Sequence, residues 1–175
     1  EIGGQLNLVN GNFDVRDATL LIHTNSAPLV RTGGQVSTNS NTTLLIGNGE
    51  MGGATITLAS GIFVSPSIVI SSLTINRTNG AILNDQSIQI TTAATFTKGN
   101  LTLNGSGRIL FDEFAADPIE TEDSHIIGYA EMMLRTVGTG ALDFLGFSMS
   151  IGADAGDLSV VRRTGTPITF NGNQS

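Results

Sequence analysis

At 175 residues the chain has room for one domain, or one long module with a smaller end piece. Hydrophobic residues make up 39% and aromatic residues 5%, with no Trp, so the core is built from Val, Ile, Leu and a few Phe, which suits thin sheets better than a wide globular interior. A formal net charge of −7 repels a phosphate backbone and excludes nucleic acid as an expected partner, and the absence of Cys excludes disulfides and thiolate metal sites.

Apolar residues at i and i+2 mark half-buried strands, because side chains alternate between faces with period two. Such pairs begin at Leu6/Leu8, Phe13/Val15, Leu20/Ile22 and Leu44/Ile46, and continue at Ile56/Leu58, Ile62/Val64, Ile68/Ile70 and Leu73/Ile75. Ile88/Ile90, Leu101/Leu103 and Ile109/Phe111 complete the series, with single-sided versions near Ile82 and Phe96. Between them stand Asn-Gly at 10–11, 48–49, 79–80 and 104–105 and Gly-Gly at 33–34 and 52–53, which tolerate the positive φ of tight corners. A hairpin meander would use strands of five or six residues. Pairs this short, with gaps this small and aliphatic residues recurring at similar places, favour stacked coils. The expected fold is all-β, a right-handed parallel β-solenoid (β-helix) with longer terminal strands. At roughly 20 residues per turn, residues 1–118 would make about six layers. The irregular period excludes a strict six-residue left-handed helix.

The composition changes near Asp112. The stretch DEFAADPIETEDSH (112–125) holds six of the fifteen acidic residues. Longer runs follow, at 125–137, 141–151 and 158–170. YAEMML (129–134) is compatible with a helical turn, whereas alternation in FLGFSMSI (144–151) with its flanking Gly residues argues for strand. The division expected is 1–118 as solenoid coils and 119–175 as a strand-rich terminal segment that continues or closes the stack.

The tail holds FLGF (144–147), SVVRRTGT (159–166) and NGNQS (171–175), preceded by LTINRTNGAIL and LTLNG. In kind, residues 72–175 resemble a repeat module of large secreted and cell-surface proteins of the Bacteroidetes, which look like adhesins and gliding or secretion-system cargo. In those proteins the pattern continues beyond GNQS. The resemblance implies an extracellular or cell-surface location, a piece of a longer chain, and a non-catalytic structural or interaction role. Neighbouring modules or further copies would meet it through open coil ends, and surface polysaccharide is a second expected partner.

Candidate chemistry is sparse. Asp112, Glu113, Asp117, Glu120, Glu122 and Asp123 supply enough carboxylates for a glycosidase pair, as on solenoid lyases and hydrolases, but read more simply as a solvated acidic loop. GADAGD (152–157), with Asp154 and Asp157, is a little like a calcium loop yet lacks the EF-hand ligand pattern, so an Asp-stabilised turn is the better reading. His23 and His125 stand about a hundred positions apart with no third ligand nearby, against a zinc site. Arg162 and Arg163 are expected to balance nearby acids rather than grip an anion. TIT (55–57) and TFT (95–97) lack the constant period of an ice-binding ladder. GxSxG is missing, and no apolar run approaches the roughly 20 residues of a membrane span. No catalytic, cofactor-binding or metal-binding residue is assigned. The rival readings are a self-assembling filament subunit and a carbohydrate-active enzyme on the same fold.

Overall fold

The computed structural model describes residues 1–23, 27–49, 54–64, 67–153 and 156–164. No helix occurs among them, and mostly parallel strands stack as a β-solenoid of about five turns. In chain order, β1 (Leu6–Leu8), β2 (Asn12–Asp14) and β3 (Thr19–Ile22) are followed by β4 (Leu29–Arg31), β5 (Gln35–Ser37) and β6 (Thr43–Ile46). Next come β7 (Ile56–Leu58), the long β8 (Ser67–Asn76), β9 (Ala81–Asn84), the long β10 (Ser87–Lys98), β11 (Leu101–Asn104) and β12 (Arg108–Phe111). β13 (Ile126–Ile127) and β14 (Tyr129–Val137) carry the parallel stacking past residue 118.

Stacking is in register, like on like. One sheet face aligns Ile22, Ile46, Ile75 and Phe96 beside Leu20, Leu44, Leu73 and Ala94. A second aligns Ile68, Ile88, Ile109 and Ala130 beside Ile70, Ile90, Phe111 and Met132. The third aligns Ile56, Ala81, Leu101 and Ile126. All of these side chains are buried and form one continuous core. A slip of one residue would turn a whole column outward, so burial fixes the register.

Several kinds of corner bend the coils, including positive-φ Asp at Asp17 and Asp85. Gly11, Gly49, Gly80 and Gly105, the second residues of the four Asn-Gly pairs, all have positive φ. At Gly80 a Cβ would lie 2.0 Å from the Asn100 carbonyl oxygen, so only Gly lets adjacent coils approach so closely. Another corner has no Gly or Asn and ends no strand. β8 and β10 run straight through it, with a register shift between Ile90 and Ala93 and a hydroxyl contact from Ser71 to Thr92 at 3.1 Å. A β-bulge of this kind bends a strand without ending it.

Several details differ from the sequence expectation. Coils run from 20 residues (Ala81 to Leu101) to 29 (Ile46 to Ile75), so about five turns form where six were counted. Ala81 and Leu83 point inward at β9 in place of Ile82, while Phe13 and Val64 face solvent. Leu6 and Leu103 are only partly buried. Residues 129–134, compatible in sequence with a helical turn, are strand.

The C-terminal end has a cover that the expectation of open ends did not include. β15 (Gly140–Phe144) and β16 (Phe147–Ile151) form an antiparallel hairpin, and β17 (Gly156–Arg163) returns antiparallel to β14. Leu142, Phe144 and Leu145 of the hairpin join the buried core, and Phe144 meets Phe111 edge to face at 5.5 Å. At the N-terminal end, among the described residues, β1 and β2 each pair with a strand on one side only, Ile2 bridges the outer edge of β3, and Val9 and Phe13 are exposed.

Candidate functional site

The acidic stretch is the first place to look for chemistry, and its geometry is that of a clamp. Asp117 Oδ1 accepts the Leu145 backbone N–H at 2.6 Å. Glu120 accepts Arg162 Nη1 and Nη2 at 2.5 and 2.7 Å, one on each carboxylate oxygen, and its Oε1 also accepts the Ile126 N–H. Both side chains of this pair are largely withdrawn from solvent, at 22% for Arg162 and 14% for Glu120. Arg135 completes the clamp: Nη2 donates to the Ala115 carbonyl at 2.7 Å, and its guanidinium lies 4.8 Å from the Phe144 ring centre. The loop between β12 and β13 is thereby tied to both the hairpin and β17.

The clamp explains an unusual turn. Leu145 has φ +54°, in the left-handed region that costs a bulky residue about 1–2 kcal/mol. Burial of its side chain, 3% exposed, and the bond to Asp117 offset that cost.

The remaining expected residues lie apart. Asp112 Oδ1 caps the Glu113 N–H, and Glu113, Glu122 and Asp123 are exposed. His23 contacts Glu1 through Nε2 at 2.8 Å in the first coil, while the His125 N–H binds Asn100 Oδ1 at the far end of the stack. Asp157 accepts the Thr136 hydroxyl at 2.6 Å, and Asp154 lies outside the described residues, as do residues 165–175 of the resemblance. Thr57 and Thr95 fall on different sheets, Thr57 beside Ile82 and Thr95 beside Thr74, so TIT and TFT do not stack into one ladder. No group of three or more His, Asp or Glu poised to hold a metal occurs among the described residues.

Arg162 and Arg163 separate. Strand alternation sends Arg162 to Glu120 and Arg163 to the outer face, where β14 places Tyr129 beside it and β12 places Arg108 beyond. The Arg108 and Arg163 guanidiniums lie 4.7 and 5.1 Å from the Tyr129 ring centre. The Tyr129 hydroxyl donates to Glu131 Oε2 at 2.7 Å, which holds its pKa above the ordinary value because losing the proton would set two negative oxygens together. A cavity of about 340 Å³ opens beside this column, lined further by Gly105, Ser106, Gly107 and Gly128. Sequence reading missed this constellation. Its only signal was that Arg108 and Tyr129 are one coil apart, which shows once the period is known.

Fold and surface together define an all-β parallel solenoid with a clamped end. Comparison with family models, with curated proteins and with solved structures found no match for this chain.

Proposed function

We propose that the chain is a non-catalytic structural and interaction module of an extracellular adhesin or surface fibre. One observation supports this most. The two carboxylates best placed in the acidic stretch are engaged with backbone N–H groups and a guanidinium that hold the end cover in place. A general acid needs a carboxyl in a pocket that raises its pKa, opposite a second carboxylate across a cleft. A stiff stack of layers in register instead presents outward columns at a fixed spacing, and many weak contacts to a surface then add through effective concentration. The test is product analysis with pectin, alginate, chitin and peptidoglycan. The expected result is no new reducing ends or unsaturated products. Release of such products by the wild-type chain would establish the enzyme reading instead.

The outer edges of β1 and β2 in the first coil favour contact with more protein. Unpaired N–H and C=O groups at a sheet edge invite a further strand, and Val9 and Phe13 lie exposed next to it, at 64% and 40%. A preceding module or a neighbouring subunit fits that edge. Light scattering of the isolated chain should show association that rises with concentration and depends weakly on salt. A strictly monomeric species up to millimolar concentration would contradict it.

A further inference from the structure

The chain has eight Lys and Arg residues, and six of them reach an oxygen acceptor. Arg16 pairs with Asp14, Arg162 with Glu120, and Arg31, Arg77, Arg135 and Lys98 donate to backbone carbonyls. Among the described residues the two cations without an oxygen partner are Arg108 and Arg163, and both stack on the chain's single Tyr. This is a product of register. Arg108 pairs Tyr129 across parallel strands, and Tyr129 pairs Arg163 across antiparallel ones. The guanidiniums therefore sit two strand spacings apart, roughly 10 Å, one on each side of the ring.

Stacking fixes each guanidinium plane and leaves its N–H edge free for a planar oxyanion, which a freely rotating Lys would not. Both Arg residues are exposed, and the neighbouring cavity is walled by a turn of small residues. Two carboxylates lie close by, and each accepts a hydrogen bond from a neutral donor rather than from either Arg. Glu131 accepts the Tyr129 hydroxyl, and Asp85 Oδ1 accepts the Ser106 N–H at 3.0 Å.

We propose that Arg108, Tyr129 and Arg163 form a binding site for the oxyanions, carboxylate or sulfate, of an acidic polysaccharide chain lying along the solenoid axis. This rests on the interaction-module reading and names a ligand class for it. An extended acidic glycan offers oxyanions at regular intervals, so two guanidiniums held at a fixed separation can engage the same chain. The net charge of −7 opposes any polyanion at long range, so the attraction is confined to this Arg pair. Nucleic acid fits less well: base stacking needs an open aromatic face, and here both ring faces are covered by guanidinium.

Binding is measured by calorimetry with polygalacturonate, dextran sulfate, neutral dextran and oligothymidylate, together with product analysis. Polygalacturonate or dextran sulfate, or both, should bind, more weakly as salt rises, and dextran should not. Arg108→Gln and Arg163→Gln should each weaken binding about tenfold, and the double variant should abolish it. Arg16→Gln, far along the stack and ion-paired, should leave binding unchanged. Preference for polygalacturonate assigns the site to uronate, and preference for dextran sulfate assigns it to sulfate esters. Equal binding of dextran, tighter binding of oligothymidylate, or full binding by the folded double variant would overturn the proposal. Product release with arginine-dependent binding would instead overturn the non-catalytic reading and leave this site standing.

Discussion

Gly80 shows how strictly single positions are set. Its φ is +61°, and the carbonyl of Asn100 in the next coil occupies the space a side chain would need. Gly80→Ala should cost about 2–3 kcal/mol, read as a lowered denaturation midpoint with unchanged slope. Asp14 offers a test with a sign. Hydrogen bonds from the Arg16 side chain and backbone hold its carboxyl at about 2, below the ordinary value. The group contributes stability above its unfolded pKa and loses it as pH falls through the folded value. NMR titration should place the Asp14 midpoint near 2 in the wild type and shift it upward, toward the usual carboxylate range, in Arg16→Gln. The Asn-Gly corners were readable from sequence because positive φ has a residue signature. The bulged corner at Ser71 and Thr92 was not, because a bulge needs no special residue. Its only trace is the odd step from Ile70 to Leu73, which shifts the inward phase.

At the scale of elements, the hairpin β15–β16 depends on a loop residue, Asp117, that lies 28 positions before its partner Leu145. The run FLGFSMSI showed strand alternation, but not that its Phe144 and Leu145 would fill the end of the core. That depends on which coil is last, and no local pattern records it. The acidic stretch was likewise visible as a charge cluster, while its partners became visible only with topology. Glu120→Gln should destabilise by about 2 kcal/mol, since it leaves the Arg162 guanidinium facing a neutral acceptor. Amide exchange should then rise in 140–151 and 156–163 before it rises in β8 or β10. Uniform loss of protection along the stack would contradict the clamp.

For the whole molecule, the account requires each coil to pair with the next in parallel register. Burial of an aliphatic column is cooperative, so Ile90→Asp, a buried carboxylate without a partner, should cost about 4 kcal/mol and unfold the stack as a unit. Fold class was legible because the same short apolar pairs recur, and stacked layers are the arrangement that uses such repetition. Coil length was not legible, since insertions of up to nine residues, 29 against 20, leave the columns intact while changing the period. The absence of Cys allows the most direct check, a disulfide map of the register. Thr74 and Thr95 are outward-facing partners on adjacent parallel strands, whereas Thr74 and Ile82 lie on strands of different sheets. Mild oxidation of Thr74→Cys/Thr95→Cys should give a crosslinked, folded monomer, and Thr74→Cys/Ile82→Cys should stay reduced. Crosslinking of the second pair and not the first would mean a hairpin meander, and would contradict the solenoid together with the Arg–Tyr–Arg column built on its register.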